Sequence, residues 1–198
     1  MSRTAEIDRK TGETQVTVAL DLDGGEVSAS TGVGFLDHML DLLGHHGRLG
    51  LRIEASGDLE TGAHHTVEDV GIALGQALDR ALGDRGGIRR YGYMAVPMDE
   101  ALGMCAIDVS GRPLCLFEAD LPATSIAGFD AELAEEFFRA VATSAKLTVH
   151  RPLPDTVAGT RATSCSSTRA MAVTFAPAGT PPSARCVSSV AVTLSPGP

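Results

Sequence analysis

The stretch His64-His65-Thr66-Val67-Glu68-Asp69-Val70-Gly71-Ile72-Ala73-Leu74-Gly75 decides how this chain is interpreted. Apolar residues recur at helical spacing beyond it, and Gly83 is a typical stop signal, so the pattern predicts a helix that ends there. At about 3.6 residues per turn, the side chains of His64, His65 and Glu68 meet at the beginning of this helix.

This cluster has the composition of a metal site. Imidazole nitrogens and carboxylate oxygens are ligands for Mn, Fe, Zn, Co or Ni. Adjacent histidines on a helix point about 100° apart, so His64 and His65 would serve two neighbouring ions more easily than one. The same six residues also fit a solvent-facing cluster without metal, and the motif alone does not decide between the two.

The composition predicts a globular protein and limits its partners. The chain has 198 residues, of which 43% are hydrophobic, and a formal net charge of −9. This charge argues against nucleic acid or an anionic membrane as the main partner, although a few local arginines could still bind a small anion. There is no apolar run of about 20 residues and no signal peptide at the start, so we expect a cytoplasmic protein with free cysteines.

Periodicity predicts alternating strands and helices. Residues 14–22 and 26–30 alternate with period two around Asp23-Gly24-Gly25, which predicts a hairpin. The remaining predicted elements are a helix from Gly34 closed by Gly44 and Gly47, strands at 49–55, 91–96, 103–109 and 114–118, a helix at 131–145 and a strand at 146–150. This order favours an α+β domain of two similar halves with helices on one face.

The chain changes character near residue 155. All 25 acidic residues lie at or before Asp155. Residues 156–198 are rich in Ser, Thr, Pro and Ala, and arginine is their only charged residue type. We therefore divide the sequence into a folded region, 1–155, and a divergent C-terminal segment, 156–198.

Five motifs in order carry a resemblance to a known family. They are Gly34-Phe35-Leu36-Asp37-His38-Met39-Leu40, the His64–Gly75 stretch quoted above, Pro97-Met98-Asp99-Glu100-Ala101-Leu102, Asp108-Val109-Ser110-Gly111-Arg112-Pro113, and Glu135-Glu136-Phe137-Phe138. Across roughly residues 3–150, the chain resembles the imidazoleglycerol-phosphate dehydratases of histidine biosynthesis.

The resemblance implies a lyase that converts imidazole glycerol phosphate to imidazole acetol phosphate with two manganese ions. It also implies a duplicated two-layer sheet-and-helix unit, similar to the second domain of ribosomal protein S5. Members of the family assemble into a 24-subunit shell whose active sites are shared between subunits. The expected partners are thus a small phosphorylated imidazole and further copies of the chain.

Carried over by position, the resemblance implies a set of metal ligands. These are His38, His64, His65 and Glu68. Glu136 falls where many relatives have a ligating histidine. A carboxylate there could bind metal, or it could be a solvated residue on the face of a helix.

The resemblance also implies a general acid/base and a phosphate site. Glu13 is the best candidate for moving protons, together with Glu68, although without the resemblance Glu13 would be a polar residue at a strand edge. Arg90 and Arg112 resemble the phosphate-binding arginines of the family, with Arg89 close by. Guanidinium groups suit a dianionic phosphate because they donate two parallel hydrogen bonds.

The C-terminal segment departs from the family. Relatives carry a second His-His-x-x-Glu soon after the histidine equivalent to His150, whereas residues 159–169 contain no histidine or acid. We interpret this abrupt change as the product of a frameshift near residue 151. If the segment is genuine, a degenerate, inactive subunit is the alternative to an active dehydratase. A zinc hydrolase has little support, because the HExxH spacing is absent.

Overall fold

The computed structural model describes residues 3–99, 101–119 and 125–150. Its helices there are α1 (Gly34–Gly47), α2 (His64–Leu82) and α3 (Leu133–Ser144). Its strands there are β1 (Thr4–Lys10), β2 (Thr14–Asp21), β3 (Val27–Ser30), β4 (Gly50–Gly57), β5 (Tyr91–Met98), β6 (Ala101–Asp108), β7 (Leu114–Leu116), β8 (Ser125–Ile126), β9 (Phe129–Asp130) and β10 (Thr148–His150). The divergent segment 156–198, including the missing second motif, lies outside the described residues.

The two four-stranded sheets share one topology. The first has the order β1-β2-β4-β3, in which only the β3–β4 pair is parallel. The second has the order β5-β6-β10-β7, in which only the β7–β10 pair is parallel. The prediction of an α+β fold with a duplicated sheet-and-helix unit is therefore confirmed.

The inner face of the first sheet forms the densest part of the core. Along β2, the side chains of Val16, Val18 and Leu20 alternate inward and are at most 2% exposed. Helix α2 covers them with a stripe that includes Val70 and Leu74. Burying an aliphatic side chain of this size contributes roughly 1.5–3 kcal/mol, so this contact fixes α2 on the sheet.

The predicted hairpin between residues 14–22 and 26–30 is wrong. Both segments are strands, but β4 lies between them: β2 pairs with β1 and β4, and β3 pairs with β4. The glycine-rich connection passes over the beginning of β4, where a Cβ on Gly25 would lie 3.2 Å from Cα of Gly50. Turn chemistry indicated a tight hairpin, but the eight-residue β4 pairs along all of β2, which the four-residue β3 could not do.

Helix α1 ends where the sequence predicts, and it has two neighbouring apolar faces. The helix stops at Gly47, and Leu36 and Leu40 are buried on its inner face. Phe35 and Met39, on the neighbouring face, are half-buried in an apolar cleft that Phe129 also lines. Two neighbouring faces of α1 are therefore apolar, and the period alone could not rank them.

Helices α2 and α3 approach each other through glycine. A Cβ on Gly71 would lie 2.9 Å from the carbonyl oxygen of Phe137, and one on Gly75 would lie 2.7 Å from that of Val141. Atoms at these separations overlap, so the close approach of α3 requires glycine at both positions. This contact joins the two halves and sets the first turn of α2 beside α3.

Helices α1 and α3 occupy equivalent places in the two halves and end in the same way. Arg48 and Lys146 follow the helices with φ of 52° and 54°, and each backbone N–H donates to a carbonyl three residues back at 3.3 Å. Ten residues before these positions stand His38 in α1 and Glu136 in α3. The duplication therefore gives His38 and Glu136 equivalent positions.

The described residues contain no membrane-spanning helix and two free cysteines. Among the described residues, no helix is both long and apolar enough to cross a membrane. Cys105 and Cys115 are free thiols, as predicted, and burial raises the pKa of Cys105 to about 11. Cys165 and Cys186 lie outside the described residues.

Candidate metal and phosphate sites

The first turn of α2 presents His64, His65 and Glu68 together, as the spacing predicts. Nε2 of His64 lies 4.0 Å from Oε2 of Glu68, one turn along the helix. The two imidazole rings stand at 84° with their centroids 5.6 Å apart. The rings point in different directions from one helical turn, which suits two neighbouring ligand positions better than one.

Helix α3 adds Glu136 to this cluster. Its Oε2 lies 2.8 Å from Nδ1 of His64, which is the distance of a charge-assisted hydrogen bond. The glycine contact between α2 and α3 explains how residues so far apart in sequence come together. The solvated-helix interpretation of Glu136 is incomplete, because its carboxylate is 43% exposed yet directed at the imidazole of His64.

Glu13 reaches the same cluster from the turn between β1 and β2. Its Oε2 lies 4.0 Å from Nδ1 of His65. The backbone of the turn is held on both sides: the Glu13 N–H donates to Oγ1 of Thr11 at 3.3 Å, and the Asp58 N–H donates to the Glu13 carbonyl at 3.2 Å. Three different elements thus bring one carboxylate each to the two histidines.

The cluster is open and negatively charged. Each of its side chains is between 43% and 59% exposed. Three carboxylates against two imidazoles favour a cation, and this set of nitrogen and oxygen donors is chemically suited to Mn²⁺. The donors form pairs, however: among the described residues, no group of three or more His, Cys, Asp or Glu side chains converges tightly enough to hold a metal ion by itself.

His38 is the predicted ligand that stays apart. It is exposed on α1 and makes no hydrogen bond or ion pair with the described residues. Its equivalent, Glu136, does join the cluster. A complete set of ligands around His38 therefore requires donors from outside the described part of one chain.

Asp69 supports the cluster from beneath, and the sequence assigned it no role. Its carboxylate is 7% exposed and accepts hydrogen bonds from Arg9 at 2.8 Å, from Thr11 at 3.3 Å and from the Thr14 hydroxyl. Burial acts to raise the pKa of Asp69, but the hydrogen bonds from Thr14 and Arg9 outweigh it and lower the pKa. The only sequence signal was an acid on the apolar face of α2.

The predicted phosphate-binding arginines meet at Asp108. The guanidinium of Arg90 donates to both carboxylate oxygens, from Nε at 2.5 Å and from Nη2 at 2.9 Å, and Arg112 approaches to 3.7 Å. The hydrogen bond from Arg90 lowers the pKa of Asp108, so this carboxylate is charged at neutral pH. Asp108 was part of a quoted motif, but only the structure shows that it aligns the arginines.

Comparisons with known proteins identify the family of this chain. Residues 31–174 match the family model described as "Imidazoleglycerol-phosphate dehydratase". The chain belongs to the imidazoleglycerol-phosphate dehydratase family. A dehydratase of this name from Acetivibrio thermocellus is 55% identical over 151 residues, which are 76% of this chain and 77% of that protein.

Further dehydratases of the family give the same result. One from Exiguobacterium sp. is 56% identical over 149 residues, which are 75% of this chain and 76% of that protein. The crystal structure of the Staphylococcus aureus dehydratase superposes with a TM-score of 0.67 at 42% identity, covering 76% of this chain and 85% of that chain. The resemblance inferred from the five motifs is therefore confirmed, and the chain is similar to lyases that dehydrate imidazole glycerol phosphate.

Proposed function

We propose that this chain dehydrates D-erythro-imidazole glycerol phosphate to imidazole acetol phosphate in histidine biosynthesis. The observation that carries the proposal is the meeting of Glu13, His64, His65 and Glu136 at the beginning of α2, from three separate elements. The arginine pair at Asp108 supplies a second, cationic site for a phosphorylated substrate.

The ligands we propose for a dinuclear manganese site are His38, His64, His65, Glu68 and Glu136. When bound, the metal supplies Lewis acidity and a template that orients the imidazole ring of the substrate. The carboxylate of Glu136, 2.8 Å from Nδ1 of His64, would hold the imidazole ring in one orientation. Glu68 is close enough to His64 to act in the same turn of α2, as ligand and as a second proton carrier.

We assign the movement of protons to Glu13. Dehydration needs a group that removes a proton from carbon and another that delivers one to the departing hydroxyl. Glu13 is the most exposed carboxylate of the cluster, at 59%, and it approaches His65 without contacting it at hydrogen-bond distance. Its oxygens are thus free to exchange protons with a bound substrate.

For the phosphate we assign Arg90 and Arg112. Arg90 is aligned by two hydrogen bonds to Asp108, which leaves part of its guanidinium to donate elsewhere. Arg112 is 76% exposed, and its Nη2 lies 3.7 Å from the same carboxylate, beyond hydrogen-bond distance. A phosphate dianion could therefore recruit Arg112 at little cost while Arg90 stays fixed.

We further propose that the chain acts as a homo-oligomer with shared sites. Among the described residues, no hydrogen bond or ion pair connects the metal cluster with the arginine pair. The outer face of the second sheet also exposes Tyr91, Tyr93 and Leu116, at 61%, 56% and 45%. Apolar patches of this kind usually mark a surface that another molecule covers. We place the enzyme in the cytoplasm, where free thiols such as Cys105 persist.

The test is turnover by the purified chain. With Mn²⁺ and imidazole glycerol phosphate, formation of imidazole acetol phosphate is expected, and it should disappear with a chelator and return with added Mn²⁺. The variant Glu54→Gln, on the outer face of the first sheet, serves as a control that should leave turnover unchanged. Absence of turnover in a folded, metal-loaded chain would contradict the proposal.

A second candidate is an inactive member of the family. Positions Arg48 and Lys146 are equivalent, and the same displacement applied to the motif of α2 leads to Ala162, Thr163 and Ser166, none of which binds these metals well. This candidate predicts assembly without chemistry and fewer than two metals per chain. Native mass spectrometry distinguishes the two, and sequencing of the gene across residues 145–165 tests the proposed frameshift.

A further inference from the structure

The turn that carries Glu13 is attached to α2 by one buried carboxylate. Residues 11–13 connect β1 and β2, and a short exposed turn of this kind is mobile unless its backbone is tied down. Asp69 is buried on α2, one helical turn after His65. It is therefore placed to couple the turn to the helix.

The contacts of Asp69 cover both ends of this turn. Arg9, on β1 before the turn, places Nη2 2.7 Å from Oδ1 of Asp69. Thr14, on β2 after the turn, donates its hydroxyl to Oδ2, and Thr11 donates to the same oxygen at 3.3 Å. One carboxylate thus holds the strand before the turn, the strand after it and the turn itself.

Thr11 transmits this attachment to Glu13. Its Oγ1 accepts the backbone N–H of Glu13 at 3.3 Å and that of Thr14 at 3.0 Å. A hydroxyl that donates to a buried carboxylate is also a better acceptor, because the two hydrogen bonds polarise one another. The chain of contacts runs from Asp69 through Thr11 to the backbone of Glu13.

We propose that Asp69 is a positioning residue, which ties the β1–β2 turn to the first turn of α2 and so fixes Glu13 beside His65. The proposal rests on the role of Glu13 in the proposed function. It follows from the arrangement that one buried carboxylate, one helical turn along α2 from His65, aligns the proton carrier with the proposed metal ligands. A displacement of about 1 Å at a reacting group can cost about 10²-fold in rate.

The first experiment measures the attachment itself and needs no activity. Asp69→Asn keeps the shape of the side chain but replaces one acceptor oxygen by a donor. Hydrogen exchange in a peptide spanning residues 10–16 should become about tenfold faster or more, as expected when a charge-assisted hydrogen bond is lost. The matched control is Asp79→Asn, because Asp79 also lies on α2 and is held by Arg85 and Lys146. It should leave exchange in this peptide unchanged.

The second experiment tests whether Asp69 acts through Glu13. Asp69→Asn should lower kcat by about 10²-fold with KM and manganese content nearly unchanged. In the Glu13→Gln background the same substitution should have almost no further effect on kcat, since the group that it positions is already gone. Thr11→Ser should retain kcat, whereas Thr11→Val should lower it.

These outcomes separate the inference from the proposed function. If Asp69→Asn lowers kcat equally in both backgrounds, removes manganese, or leaves exchange of residues 10–16 as slow as in the parent chain, the inference is overturned. If the parent chain shows no turnover, the proposed function fails, and the exchange experiment with its Asp79→Asn control still decides whether Asp69 holds the turn.

Discussion

The two halves of the molecule share a topology but differ in what they present to their surroundings. In each sheet, residues that pair across the four strands form a row, and their side chains lie next to one another on one face. The row in the first sheet is Glu6, Ala19, Arg52 and Ser28, and the equivalent row in the second is Tyr93, Ala106, His150 and Leu116. The first outer face is polar and suits water, whereas the second is largely apolar.

The helices differ in the same manner. Where α1 carries His38, α3 carries Glu136, and only Glu136 contacts the cluster on α2. Duplication therefore conserved what packing requires, namely the strand order and the helix ends, while the polar residues diverged. The comparison teaches that the first half provides the site and the second half provides Glu136, the arginine pair and an apolar face.

The largest effect should come from the turn of the first sheet. Glu13→Gln removes the proposed proton carrier without changing its size, so kcat should fall by about 10²–10⁴-fold. Steady-state kinetics with Mn²⁺ measures this, and Glu54→Gln is the control. A kcat within threefold of the parent would show that the first half does not supply the acid/base.

Substitution of the equivalent pair asks whether both halves contribute to metal binding. Glu136→Ala removes the carboxylate that lies 2.8 Å from Nδ1 of His64 and should weaken Mn²⁺ binding by about 10–100-fold. His38→Ala should have an effect of similar size if equivalent positions do equivalent work. Isothermal titration with Mn²⁺ measures both, and an unchanged affinity in Glu136→Ala would make its contact with His64 structural.

The outer faces give a matched pair of surface variants. Tyr93→Lys introduces a charge on the apolar face and should dissociate the proposed oligomer, since a central aromatic residue contributes about 2 kcal/mol or more to an interface. Glu6→Lys places the same residue at the equivalent position of the polar face and should leave the particle mass unchanged. Light scattering measures the particle mass, and an unaltered mass in Tyr93→Lys would show that this face does not hold the oligomer together.

The contact between α2 and α3 should be sensitive to added side-chain volume. Gly75→Ala places a methyl group against the backbone of α3, so the free energy of unfolding should fall by about 1–3 kcal/mol. Gln76→Ala, exposed on the next position of α2, is the control and should change stability little. Thermal unfolding measures both, and equal melting temperatures would show that the helices can move apart without loss.

The smallest effect concerns the ion pairs of Asp79, at the end of the contact between α2 and α3. Asp79 accepts hydrogen bonds from Arg85 and from Lys146, the latter at 2.6 Å. Burial acts to raise the pKa of Asp79, but the hydrogen bonds from Lys146 and Arg85 prevail and lower it. Its contribution to stability is therefore complete above the unfolded pKa of about 3.9 and is lost as pH falls through the folded pKa. The melting temperature of Asp79→Asn should decline less between pH 6 and pH 3 than that of the parent chain, and parallel declines would contradict this.

Some elements were predictable because a local pattern determines them. Helix α2 begins and ends where its period and Gly83 indicate, since one apolar stripe must face one sheet. The sequence pattern did not predict strand β1. An edge strand buries few side chains, and in β1 only Ile7 is buried, so no apolar alternation marks it. The place of β4 between β2 and β3 depends on pairing across the chain, which no local pattern contains.

The sequence by itself determined the family, the duplicated α+β architecture and the meeting of His64, His65 and Glu68. These follow from motifs and from helical geometry over one turn, which are local. Only the tertiary structure decided that Glu13 and Glu136 join that turn and that Asp69 holds the turn between β1 and β2. Such contacts depend on how closely two helices and a sheet can pack. The roles of Gly71, Gly75 and Asp69 in this packing depend on residues distant in sequence, so only the tertiary structure shows them.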